Sequence, residues 1–144
     1  MTLPARLGLD TACVLYLLDE PDSPRRAFVE TDVFCAPGRS VVVSAVGLSE
    51  FLVRLFRLAS ADDVAAAHAA FEALPGMTIW PVDADVTRES TRIRAETGLR
   101  LPDAIHLATA LVAGAEAFLT NDARLGSAQV GVPVLVVDDL LRDA

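Results

Sequence analysis

Short apolar runs alternate along this chain with longer stretches whose apolar positions recur at helical spacing. Arg6–Asp10 reads as a buried strand that opens directly into an apolar helix, Ala12–Leu18. Pro21 and Pro24 punctuate the next segment, and Ser23 is placed to cap a helix reaching about Asp32. Ala36–Ser40, with Pro37 and Gly38, reads as a loop before the β-branched strand Val41–Ser44. The helix after that strand ends near Ser60, which caps an Ala-rich helix to about Leu74, and Pro75-Gly76 then turns the chain. Met77–Val82 is the third strand. Asp83 begins a charged helix to about Thr97 that Gly98 closes. Pro102 falls in the first turn of the next helix, where its missing N–H costs nothing, and Ala104–Val112 continues it. Glu116–Leu119 and Val132–Val137 are the fourth and fifth strands, with a short helical turn at Asp122–Leu125 between them. Asp138–Asp143 reads as a short tail. Strands alternating with helices, without repeats, predict one domain over residues 1–144: a three-layer α/β/α sandwich with a mostly parallel sheet.

Composition narrows the setting. A chain of 144 residues can bury a single core without staples. Its 53% hydrophobic content and mean hydropathy of +0.43 raise the question of a membrane segment. The most apolar runs, Val41–Leu48 and Val132–Val137, fall far short of the roughly 20 residues a spanning helix needs. The start, MTLPARLGLD, lacks the charged opening and apolar run of a signal peptide. The expectation is a cytosolic protein whose surplus apolar surface covers a core and one partner interface, such as a homodimer. Cys13 and Cys35 have no metal-binding spacing and are expected to be buried thiols. A net charge of −8 is the wrong sign for binding nucleic acid over the whole surface. Yet all 12 basic residues are Arg, and a guanidinium fork grips phosphate in pairs of bonds, so a local patch is enough.

Four acids carry the candidate chemistry: Asp10 in LGLDT, Glu50 in SAVGLSEF, Asp103 in LPDAIHLATA and Asp122 in LTND. Each lies at a strand end or within the helix that follows one. A parallel sheet gathers such positions at its carboxyl edge, where ligands of open α/β sheets bind. Like charges brought together there disfavour each other's ionisation unless a cation joins them. Oxygen-only ligands suit Mg²⁺ or Mn²⁺, and those ions point to phosphate chemistry. Each acid also has a plainer role open to it. Asp10 can cap a helix, Glu50 can pair with Arg54 on a solvated face, Asp103 can favour a helix dipole, and Asp122 can make a turn. His106 is expected to be a satisfied, partly buried histidine, with Asp103 or a phosphate as its alternative partner. Asp138 and Asp139 are expected to cap the tail, and His68 has no assignable chemistry.

In order and context, LGLDT, then Ser44 through Glu50, then LPDAIHLATA, then LTND resemble the PIN-domain ribonucleases, most closely the VapC-type toxins of bacterial toxin–antitoxin pairs. The resemblance spans essentially the whole chain, and PDAIHLATA and TND are its most specific parts. Ala12 departs from it, standing where such proteins often have Asn or Ser. The resemblance implies a Mg²⁺- or Mn²⁺-dependent endoribonuclease with Asp10, Glu50, Asp103 and Asp122 as metal ligands and catalytic residues. Thr11, Ser44 and Thr120 would hold those carboxylates in place, and Arg54 and Arg57 would grip RNA phosphate, with Arg25, Arg26 and Arg124 as further candidates. It also implies a cognate antitoxin protein laid over Leu15, Leu18, Phe51, Leu55 and Phe56, and a homodimer. A non-catalytic PIN-like module binding RNA or protein is the alternative, and a Mg²⁺-dependent DNA nuclease shares the same chemistry. A phosphorelay receiver domain is excluded, because it relies on a Lys and this chain has none.

Overall fold

Three consecutive valines, Val41–Val43, are all buried, as a parallel strand covered by helices on both faces must be. In the computed structural model, which describes residues 2–19 and 21–144, they sit in a five-stranded sheet. The strands are β1 (Arg6–Leu9), β2 (Ser40–Ser44), β3 (Met77–Trp80), β4 (Ala117–Thr120) and β5 (Val134–Val136). They lie in the order β3-β2-β1-β4-β5, all parallel. Leu7 pairs with Val41 on one side and Ala117 on the other, which puts β1 at the centre.

Helices cover both faces. The first core joins Leu7, Leu9, Val41, Val43 and Leu119 to Val14 of α1 (Thr11–Asp19), Phe51 of α3 (Ala45–Leu58) and Phe71 of α4 (Ala61–Glu72). The short α2 (Pro24–Phe28) runs into a π-helical segment, Val29–Phe34, whose Val29 and Val33 join the same core. The second core packs Phe118 against Ile93 of α5 (Ala84–Thr97) and Leu107 and Ala108 of α6 (Leu101–Val112). Each such side chain contributes roughly 1.5–3 kcal/mol on burial. The architecture is the expected α/β/α sandwich. Gly8 seats α6 directly on the sheet: a Cβ there would lie 2.6 Å from the Ala110 Cβ, so only glycine lets the helix come this close.

Most caps fall where the sequence put them. Ser23, Ser44, Ser60, Asp83 and Asp122 accept from the first turns of their helices, and Gly98 closes α5 at φ 74°. Four expectations need correction. The tail is helix α8 (Val137–Arg142), because Val137 is fully buried and anchors it, while Asp138 and Asp139 sit in its first turn where the helix dipole favours acid. Strand β3 stops at Trp80, since Pro81 has no N–H to continue the ladder. Helix α2 gives way to a π-helical segment after Phe28. Cys13 is buried as expected, but Cys35 is exposed. Among the described residues no helix is long and apolar enough to cross a membrane.

Candidate functional site

From β1 the chain winds outward through β2 and β3, then returns to add β4 and β5 on the other side. The junction of β1 and β4 is therefore the switch point, where the crevice at the carboxyl edge opens. Asp10 leaves β1 there, its N–H donating to the Leu119 carbonyl at 2.9 Å. Thr120, fully buried at the end of β4, faces it. The Thr120 hydroxyl donates to Asp10 Oδ2 at 2.7 Å and accepts the Asp122 N–H at 3.0 Å. One hydroxyl thus ties the acid after β1 to the acid after β4.

Glu50 and His106 meet from opposite sides of the sheet's edge. His106, on α6, is 3% exposed, and its Nε2 lies 2.5 Å from Oε1 of Glu50 on α3, whose side chain is 49% exposed. Burial opposes charge on the ring. The hydrogen bond to Glu50 and the charges of Asp10, Glu50 and Asp103 outweigh it and hold the His106 pKa above its ordinary value. Asp103, in the first turn of α6, has Arg100 Nε at 3.6 Å from its Oδ2. Asp122 caps α7 (Ala123–Gly126), and both of its oxygens are taken by Arg124: Nε at 3.1 Å and Nη2 at 2.6 Å. That bond, aided by the Arg100 charge, holds the Asp122 carboxyl below its usual range. Asp103 acts on both His106 and Arg124, and Arg100 acts on Asp122, so the four acids share one electrostatic neighbourhood.

Among the described residues, no three of His, Cys, Asp and Glu converge tightly enough to hold an ion. The acids are shared out instead: Asp10 to Thr120, Glu50 to His106, Asp103 to Arg100 and Asp122 to Arg124. By type the donors, four carboxylates, are those a hard divalent cation takes, and three of the four lie against a basic side chain. Two of those cations, Arg100 and Arg124, are mostly exposed and free to swing away.

Of the supporting residues named from sequence, Thr120 touches an acid. Ser44 Oγ is spent accepting the Val46 N–H at the start of α3, and the Thr11 hydroxyl is buried without a partner. His106 contacts Glu50 rather than Asp103, because a residue buried in α6 looks across to α3. Arg25 is not placed to grip phosphate: it makes two 2.8 Å bonds to Asp138, which is therefore an ion-pair partner as well as a first-turn acid. Arg26 lies 3.8 Å from Glu30. Arg54 and Arg57 are exposed along α3. Phe51 belongs to the core, its ring 4.9 Å from Phe71, and with Val14, Leu18 and Phe71 it lines a small apolar pocket, while Leu18 and Phe56 are exposed. Sequence reading missed Arg100, although its three-residue spacing to Asp103 on one helix was a usable signal. The Glu50–His106 pair, 56 residues apart, had none.

A profile of the PIN domain family matches residues 8–130. The chain belongs to the PIN domain family. All four acids of this PIN domain lie inside the matched span. Three solved structures illustrate its relatives. VapBC-5 of Mycobacterium tuberculosis, a member of the VapBC family of toxin–antitoxin systems, is 27% identical over 92% of this chain and 98% of that one, with a TM-score of 0.57. VapBC2 of Rickettsia felis, bound to a promoter DNA fragment, is 17% identical over 91% and 98%, with a TM-score of 0.71. VapC20 of Mycobacterium tuberculosis, a toxin that cleaves the sarcin–ricin loop, is 18% identical over 89% and 99%, with a TM-score of 0.61. No curated protein sequence matches the chain.

Proposed function

We propose that this PIN domain is a Mg²⁺- or Mn²⁺-dependent endoribonuclease, the cytosolic toxin of a toxin–antitoxin pair, which hydrolyses RNA phosphodiester bonds. The observation that carries the reading is the Thr120 hydroxyl, which ties Asp10 to the Asp122 turn at the switch point of the sheet. A bare helix cap at Asp10 would not require a buried hydroxyl donor from another strand.

Asp10, Glu50, Asp103 and Asp122 would hold the ion, which supplies charge to the reacting phosphate and acidifies a water. The Thr120 hydroxyl would keep Asp10 from rotating away, and His106 lies in hydrogen-bond contact with Glu50. Arg54 and Arg57 on α3, with Arg124 once released from Asp122, would hold the RNA backbone. Leu18 and Phe56, exposed at 53% and 68%, supply apolar surface for an antitoxin, in keeping with the toxin–antitoxin complexes among similar structures. A homodimer would cover more of it.

The test is cleavage of total RNA, defined tRNAs and single-stranded DNA by purified protein in Mn²⁺, Mg²⁺ or EDTA, beside Asp10→Asn. RNA cuts that need metal and vanish in Asp10→Asn are expected, with a loss of at least about 100-fold. A folded protein that neither binds Mn²⁺ nor cuts RNA would instead be a non-catalytic RNA- or protein-binding module. Cuts confined to DNA would move the substrate and keep the chemistry.

A further inference from the structure

We infer that His106 is a positioning residue for Glu50, held in register by a glycine gap that Gly47 leaves between helices α1, α3 and α6. The inference rests on the metal-dependent reading above and adds a residue to it.

His106 sits among the most rigidly packed residues of the molecule. Its neighbours in α6, Leu107, Ala108, Thr109 and Ala110, are all 0–1% exposed, and the helix is pressed onto β1 at Gly8. Glu50 is the opposite, a half-exposed side chain with three rotatable bonds that solvent would leave in many rotamers. The 2.5 Å contact from Nε2 to Oε1 therefore fixes the mobile partner to the immobile one. A carboxylate already turned inward loses less freedom when it takes up a cation.

Gly47 lies one turn before Glu50 on α3 and is itself buried. A Cβ there would stand 2.5 Å from the Thr11 hydroxyl, 2.9 Å from Val43 Cγ1 and 3.5 Å from His106 Cε1. The bare α-carbon thus lets the imidazole edge and the residue following Asp10 pack against the helix that carries Glu50. Two buried polar atoms without partners, Thr11 Oγ1 and His106 Nδ1, belong to the side chains that border this gap.

That arrangement is costly for a side chain that only fills space. A buried nitrogen without a partner lowers stability, and an apolar residue of similar volume would avoid the loss. Packing alone therefore favours Leu or Met at this position, whereas holding Glu50 requires a donor at the Nε2 position. Gln places an amide nitrogen near that point, which separates the two accounts.

The experiment compares wild type with His106→Gln, His106→Leu, His106→Met and Glu50→Gln. Free Mn²⁺ is measured by electron paramagnetic resonance, and thermal unfolding is recorded without metal. The side-chain carboxyl ¹³C resonance of Glu50, assigned by its loss in Glu50→Gln, is also recorded without metal. The two apolar variants are expected to unfold no earlier than wild type, to bind Mn²⁺ about 10- to 100-fold more weakly and to shift the Glu50 resonance toward that of solvated glutamates. His106→Gln is expected to stay close to wild type in both. Apolar variants that bind Mn²⁺ like wild type and leave the resonance unmoved would overturn the inference, as would a Gln variant no better than Leu. If wild type itself binds no Mn²⁺, the metal-dependent function falls, and the Glu50 resonance alone decides the positioning role.

Discussion

Glu50 and Asp122 are both candidate-site acids with a basic group in hydrogen-bond contact, yet they obtain those partners in opposite ways. Asp122 takes Arg124, two residues along the same turn, and that guanidinium is 66% exposed. Glu50 takes His106, 56 residues away on another helix and 3% exposed. The first pair forms as soon as the turn forms and is screened by water, so it is easily exchanged for another cation. The second exists only once α3 and α6 are packed on the sheet, and its buried member cannot leave. One pair is thus solvent-exposed and exchangeable, and the other is anchored by its buried member.

Three substitutions break or sharpen that contrast. The largest effect is expected from Thr120→Val, which keeps the shape but removes the hydroxyl joining Asp10 to the exchangeable Asp122 turn. Losing a donor to Asp10 and leaving the Asp122 N–H without its acceptor should cost about 1–3 kcal/mol in chemical denaturation. Mn²⁺ affinity should fall about 10- to 100-fold by titration calorimetry. Unchanged metal affinity would mean that the bridge from Asp10 to Asp122 does not organise the acids.

Arg124→Gln should act in the other direction on metal and be smaller. With the competing guanidinium gone from Asp122, Mn²⁺ should bind as well as in wild type or up to about fivefold tighter. RNA binding by the inactive Asp10→Asn protein, followed by fluorescence anisotropy, should weaken. A loss of metal affinity in Arg124→Gln would show that Arg124 organises Asp122 rather than occupying it.

The smallest effect separates burial from distance in sequence. Arg25 and Asp138 are 113 residues apart, like the fixed pair, but both are more than a third exposed, like the exchangeable one. If burial is what matters, Asp138→Asn should cost no more than about 1 kcal/mol at neutral pH. The Arg25 guanidinium, through its hydrogen bonds, holds the Asp138 carboxyl below its usual range in the folded protein. Its contribution is therefore present above the ordinary Asp pKa of about 3.9 and is lost as pH falls through the folded value, so wild type and Asp138→Asn should converge in acid. A larger deficit at neutral pH would make chain separation, not exposure, the deciding factor.

Much of this was legible because its causes are local. Ser60 followed by Asp63 forms the capping box, Gly98 takes the left-handed cap, and the valines of β2 give a strand buried on both faces. Asp10 and Asp122 were legible as neighbours because they follow β1 and β4, adjacent strands whose ends share one edge. The tail was misread because nothing local in Asp138–Asp143 reveals that Val137 is fully buried and roots a helix. Phe51 could not be assigned from sequence for a related reason: an apolar residue on an amphipathic helix looks the same whether it meets Phe71 in the core or borders a pocket, and here it does both. By itself, then, the sequence determined most of the order of elements, most of their caps and the sheet class, since these follow from spacing along the chain. Only the tertiary structure decided that Glu50 meets His106 and that Asp10 meets Thr120. Those pairings depend on how closely helices pack across the sheet, and two glycines, Gly8 and Gly47, set that distance by the side chains they lack.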